Sequence, residues 1–250
     1  MCLLSIFIFI TLNATAQHEQ HLKQEKISAG LYHTKIEDSV YMITHYFPYW
    51  GGNSMFILLE KEKAVLIDTP YELTGTRALM EWIEDNFGTL DITAIITGFH
   101  QDNLGGAQVL YELGIPVYGA KLTARLVNEQ GPELIEMMQH AVKNHENPAY
   151  YEGYKNLKLL PPDHTFPIEQ GLTLDLGGEC FEVYFPGASH TVDNTVVYLH
   201  KRKLLFGGCM IKGLMYHNPG YLGYASMTEW PASVENVIDR YPEVRTVVPG

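Results

Sequence analysis

Cysteine is scarce in this chain, with three in 250 residues, at Cys2, Cys180 and Cys209. Only Cys180 and Cys209 would outlast removal of the first 16 residues, and two thiols do not make a disulfide framework. An exported protein that keeps a free thiol must shield it or use it, and metal ligation is one use. Positive charge is scarce too: 17 Lys and Arg stand against 29 Asp and Glu, a formal net charge of -12, with no basic run. Phosphate binding needs clustered Lys and Arg, which argues against nucleic acid and anionic membrane as partners. The apolar run from Leu3 to Leu12 in "MCLLSIFIFITLNATAQ" is too short to span a bilayer. No internal repeat is visible.

With 46% hydrophobic and 18% charged residues, the chain has enough apolar material for one large domain or two tightly packed halves, which argues against overall disorder. Ala14-Thr15-Ala16 follows the apolar run as a small-x-small site, so residues 1–16 read as a secretory signal and the mature protein as periplasmic or secreted. No Lys or Arg precedes the run, which places the expected start upstream; a buried N-terminal strand is the competing reading. Residues 17–29 are polar and are expected to be loose.

Strands are expected at "SVYMITHYF" and at "NSMFILLEKEKAVLIDTP", the latter a hairpin turning at Glu60 to Lys63. "YELTGTRALMEWIEDNFG" has apolar spacings of three and four and stops at Gly88, the pattern of a helix. "ITAIIT", "GGAQVLYELG" and "IPVYGA" continue as strand, helix and strand, which implies a sheet with helices packed on it. Residues 121–147 read as helix interrupted at Gly131-Pro132, with "PELIEMMQHAVKNH" amphipathic. From Pro161 strands return at "LTLDLG", "CFEVYFPG" and "TVVYLHKRKLLFGG". A last helix, "MTEWPASVENVIDRY", leads into "VRTVVPG". The pattern gives an α/β protein, one αββα sandwich over residues 30–250.

Strand ends carry metal-capable side chains: His100 and Asp102 in "TGFHQDNLGG", His190 in "GASHTVDN" and Cys209 in "LFGGCMIK". Imidazole, carboxylate and thiolate form a borderline-soft donor set that suits zinc better than magnesium or calcium. A solitary histidine in such a place is more often a polar loop residue. Flanking glycines, which let backbone approach closely, favour a site, and spacing alone leaves both readings open.

These segments resemble the metallo-β-lactamase fold family. "IITGFHQDNLGG" is similar to its His-x-His-x-Asp-x-x-Gly-Gly signature, "FPGASHTVDN" to its Gly-x-x-His-Thr-x-Asp-Asn segment, "GGCMIKG" to its Cys-x-x-Lys segment, and "LIDTP" with Asp68 also matches. Glyoxalase-like members and many nucleases of the fold place a histidine directly after the aspartate and an aspartate at the Cys209 position. Asn103 and Cys209 instead resemble class B β-lactamases with an Asp-Cys-His site. The resemblance implies one or two zinc ions held by His100, Asp102, His190 and Cys209, and attack by zinc-activated water on a small-molecule β-lactam. Asp102 would act catalytically by orienting that water, and Lys212 would pair with the substrate carboxylate. A monomer is expected, with no membrane contact after signal cleavage. The alternatives are another hydrolase of the fold, acting on a lactone, ester or thioester, or a degenerate non-catalytic member.

Three positions depart from the family pattern. Gly98 stands where the di-zinc subclass has the first of three histidines. The mono-zinc, carbapenem-specialised subclass also lacks it and carries a long helix near the site, which residues 132–145 resemble; this implies a carbapenem preference. "VVPG" leads in the family into the histidine of the Asp-Cys-His site, so the chain is expected to be truncated at its C-terminus. Tyr221 in "GYLGYA" stands at the substrate-orienting asparagine. Trp50 in "YFPYWGGNSM" reads equally as a lid over substrate or as core packing. His217 reads as a loop residue, Cys180 as a buried small side chain, and Leu134, Met137, Met138 and Ala141 as an ordinary packing stripe.

Overall fold

A computed structural model describes residues 22–47, 50–213 and 219–250. The proposed signal, His217 and the ring of Trp50 lie outside the described part. In chain order the elements are β1 (Gln24–Ser28), β2 (Leu31–Glu37), β3 (Val40–Phe47), β4 (Trp50–Leu58), β5 (Lys63–Ile67), α1 (Leu73–Phe87), β6 (Asp91–Ile95), α2 (Gln101–Leu104), α3 (Ala107–Glu112), β7 (Val117–Ala120), α4 (Lys121–Val142), α5 (Ala149–Lys155), β8 (His164–Phe166), β9 (Leu172–Leu176), β10 (Glu179–Tyr184), β11 (Val196–Leu199), β12 (Leu204–Phe206), α6 (Trp230–Arg240) and β13 (Thr246–Val248).

Strands β1 to β8 form one sheet in sequence order and β13-β12-β11-β10-β9 form a second. The first is antiparallel from β1 to β5 and parallel from β5 to β8. The two-residue period of a strand divides each sheet's side chains between two layers. Phe56, Ala64 and Leu66 pack with Leu79, Leu110, Leu134 and Met138 on the helical side. Their neighbours Met55, Ile57, Val65 and Ile67 pack against Phe181, Val183, Val197 and Phe206 of the other sheet. Val196, Tyr198 and Leu205 pack with Val237 and Tyr241 at α6. Three apolar layers between four layers of structure are the expected αββα sandwich. Among the described residues no helix is long and apolar enough to cross a membrane.

The structure differs from the sequence expectations in several places, and β2, α5 and β8 stand where no element was expected. Part of the polar stretch 17–29 is β1, paired antiparallel with β2 through Gln24 with Thr34 and Lys26 with Tyr32; backbone pairing needs no apolar side chain. Helix α4 runs unbroken through Gly131-Pro132 and ends at Val142, short of His145. An interior proline costs about 3 kcal/mol, but α4 buries Leu126, Val127, Leu134, Ile135, Met138 and Val142, at roughly 1.5–3 kcal/mol for each fully buried side chain. Gly131 also has no Cβ to clash with the proline ring. Ala141 of the expected stripe is exposed, and Val142 is buried in its stead. Cys180 is half-buried, on the opposite face of β10 from the buried Phe181 and Val183.

Candidate metal centre

The candidate residues gather where strands from both sheets end. Parallel β5 and β6 finish side by side, and Asp68, next after β5, is fully buried with left-handed backbone at φ 59°. Its N–H donates to Ile95 O at 2.9 Å. Thr97 N and Thr97 Oγ1 donate to its carboxylate at 2.8 and 2.6 Å, and Asn103 Nδ2 donates at 2.9 Å. Burial pushes the Asp68 pKa up to about 8 while the Thr97 and Asn103 donors oppose the rise. Three donors on one carboxylate make Asp68 the fixed point of the loop that carries His100 and Asp102.

The glycine pair behind Asp102 has a steric cause. A Cβ on Gly105 would lie 2.2 Å from Tyr71 O, and one on Gly106 would lie 2.2 Å from Thr76 Oγ1. Gly106 N donates to Thr69 Oγ1 at 2.8 Å and Thr69 N to Asn103 O at 2.8 Å. The Asp-Thr pair after β5 thus anchors both ends of the α2 turn.

From the second sheet, the β10–β11 loop presents His190. Thr191 Oγ1 donates to Asp193 Oδ1 at 2.6 Å, and Thr123 Oγ1 of α4 donates to Asp193 Oδ2 at 2.7 Å. Thr191 N donates to Asn194 Oδ1 at 2.7 Å. The loop therefore ties itself to α4, and the next backbone bond, Thr195 N to Thr97 O at 2.8 Å, joins it to the His100 loop. Cys209 follows β12 in a single 3-10 turn. Gly250, beyond β13, donates its N–H to Gly208 O at 3.1 Å, so the end of β13 lies beside Cys209.

Together these loops bring His100, His190 and Cys209 to one place, their donor atoms all within 4.8 Å of one another. The two imidazoles stand perpendicular with centroids 5.2 Å apart. Asp102 Oδ2 lies 3.2 Å from Cys209 Sγ. All three cluster residues are buried, yet His100 Nε2 and both ring nitrogens of His190 meet no partner in hydrogen-bond geometry among the described residues. Burial, with Lys212's positive charge adding to it, lowers both histidine pKa values to about 3, so the rings are neutral. Burial also holds the Cys209 thiol well above its ordinary range, the Asp102 carboxylate raises it further, and Lys212 acts the other way. Neutral imidazoles with free lone pairs, a thiol that ionises only against a strong cation and an adjacent carboxylate fit zinc.

Lys212 is partly buried and acts electrostatically on His100, His190 and Cys209. Tyr221 is 44% exposed and rests on Tyr224 at 5.7 Å between centroids, while Tyr224 itself packs on His100 at 5.5 Å. Tyr224 rather than Tyr221 thus covers the donor set. Trp50 pairs with Phe47 across the β3–β4 hairpin. Sequence reasoning passed over Thr123, Asp193 and Asn194 as positioning residues, although the last two stood inside a quoted motif. Thr123, 70 residues from Asp193 in the chain, carried no local signal.

The family model described as "Metallo-beta-lactamase superfamily" matches residues 48–225. A "Metallo-beta-lactamase type 2" from Bacteroides fragilis is 30% identical over 233 residues, covering 91% of this chain and 82% of that protein. One of the same description from Bacillus cereus is 28% identical over 255 residues, covering 99% and 88%. Among solved structures, a metallo-beta-lactamase from Pontibacter korlensis superposes with TM-score 0.70 at 34% identity, covering 88% of this chain and 90% of that one.

Proposed function

This chain belongs to the metallo-β-lactamase superfamily, and from that premise we propose that its metal centre serves zinc-dependent hydrolysis of the β-lactam amide bond. The observation that carries the reading is the convergence of His100, His190 and Cys209, with Asp102 against the sulfur. These four residues would hold one or two zinc ions. Bound zinc supplies a Lewis acid for the lactam carbonyl and activates water near neutral pH.

The protein's own groups do the rest. Asp102, the least enclosed of the four, orients the attacking water and takes up its proton. Lys212 offers its charge to the substrate carboxylate, and Tyr221 and Trp50 contact the remainder of a small β-lactam. Membership of the family, with Cys209 in the donor set and Asn103 rather than histidine after Asp102, favours this over a lactone, ester or thioester hydrolase. Two finer points belong to the same proposal. A carbapenem preference is supported by Gly98 and by the continuation of α4 past Pro132. A secreted or periplasmic location, after release from a signal over residues 1–16, is supported by the small-x-small pattern.

The test is zinc content together with imipenem hydrolysis on the purified protein, with and without chelator. Turnover that chelator abolishes and zinc restores is expected. Bound zinc without turnover of any β-lactam would favour another hydrolase of the fold, and no zinc at all a non-catalytic member. Penicillins and cephalosporins turned over as fast as imipenem would remove the carbapenem preference.

A further inference from the structure

The space beside Gly98 is already filled. A Cβ there would lie 2.6 Å from Asn194 Nδ2 and 3.2 Å from Asn103 Oδ1. Asn103 is 2% exposed, and its orientation is determined by its other end. Nδ2 donates to Asp68 Oδ2 at 2.9 Å and to Thr97 Oγ1 at 3.2 Å. Turning the amide over would set its carbonyl oxygen against the Asp68 carboxylate, an acceptor against an acceptor. So Oδ1 faces the metal centre, 3.4 Å from Cys209 Sγ.

Two acceptor oxygens, from Asp102 and Asn103, therefore converge on one sulfur. A thiol has one hydrogen and satisfies one of them; a thiolate satisfies neither. A cation bound by all three removes the conflict. The spacing agrees, since zinc–sulfur and zinc–oxygen bonds of about 2.3 and 2.1 Å at a tetrahedral angle separate the two ligand atoms by about 3.6 Å.

We propose that the side-chain oxygen of Asn103 is a metal ligand, beside Asp102 and Cys209. Gly98 and Asn103 are then a matched pair, because any side chain at 98 would press on the liganding amide. The inference rests on the zinc reading above. It adds that the centre contains a neutral, hard oxygen donor.

The experiment is a structure of the zinc-loaded protein with the metal located by its anomalous signal, alongside zinc dissociation constants from chelator competition and melting of the metal-free protein. An Oδ1–zinc distance of about 2.0–2.2 Å is expected. N103A should weaken zinc binding at least about tenfold. N103D keeps an oxygen at this place but loses the N–H that Asp68 accepts. A ligand role therefore predicts that N103D holds zinc within a few-fold of wild type although its metal-free form melts lower. A purely structural role predicts that both variants bind alike. Zinc bound with Oδ1 beyond about 3 Å, or N103A and N103D weakened equally, would overturn the proposal and leave the functional reading standing. A wild-type protein that binds no zinc would overturn that reading, and the ligand role with it. If N103A fails to fold, the wild-type distance and N103D still decide.

Discussion

Replacing Thr123 by valine removes one hydroxyl and keeps the shape of the side chain. Thr123 is 1% exposed in the first turn of α4, and its hydroxyl donates to Asp193 Oδ2 at 2.7 Å. A hydrogen bond to a charged group is worth about 1.5–3 kcal/mol, and a domain of this size loses about 2–4 °C of Tm per kcal/mol. T123V should therefore melt about 3–12 °C lower at pH 8 by these figures. The pH dependence separates this cause from lost packing. Burial raises the Asp193 pKa from 3.8 to about 6, while the Thr191 and Thr123 hydroxyls hold it down. A carboxyl whose folded-state value is raised costs native stability as pH climbs from its unfolded to its folded value. Thr123 offsets that cost by favouring the ionised form. At pH 5 Asp193 is mostly protonated, so the gap between wild type and T123V should shrink toward the 0.5–1.5 kcal/mol, about, of a neutral hydrogen bond. Metal-free protein melted by circular dichroism at pH 5 and pH 8 makes the comparison, and other titrating groups cancel between the two proteins. An equal gap at both pH values would refute the reasoning, as would no gap at all.

G98A should destabilise the metal-free protein by about 1–3 kcal/mol through overpacking. Asn194 Nδ2 sits 2.6 Å from the new methyl, and its amide cannot turn without disturbing Oδ1, which Thr191 N holds; an unchanged denaturant midpoint would count against the steric account. Y154F removes a phenolic oxygen that is fully buried, with the Gln101 side chain near it but no partner in hydrogen-bond geometry among the described residues. It should leave Tm unchanged or raise it, since an unsatisfied buried group costs about 1–3 kcal/mol, and a clear fall would show that the hydroxyl is bonded. Glu72 caps α1, accepting from Thr74 N and Gly75 N at 2.6 Å each. E72A should lose about 0.5–2 kcal/mol in urea titration, and no loss would mean that the cap contributes nothing.

Most of the architecture was legible because its elements have a period. β4, β5 and β11 alternate between two apolar layers, and α1 repeats at three and four. What was not legible lacks a local signature: β1 has a single apolar side chain, Ile27, among polar neighbours yet gains a partner in β2, and Pro132 reads as a helix end until the depth of the surrounding stripe is known. The same division holds at the metal centre. His100, His190 and Cys209 stood out by chemistry. Asn103 could be read only as an absent histidine, because its part depends on Asp68, which is 35 residues away along the chain.

The donor atoms are divided between the two sheets. His100, Asp102 and Asn103 follow a strand of the larger, and His190 and Cys209 follow strands of the smaller, with one backbone bond from Thr195 to Thr97 where the two groups meet. The apolar layer of Met55, Ile67, Phe181 and Phe206 therefore works as a calliper, its thickness setting the gap across which the donors face each other. A core substitution there that keeps the fold but lets one sheet slide over the other would open the jaws of the site without touching it, and screens for lost activity should find such changes far from any ligand.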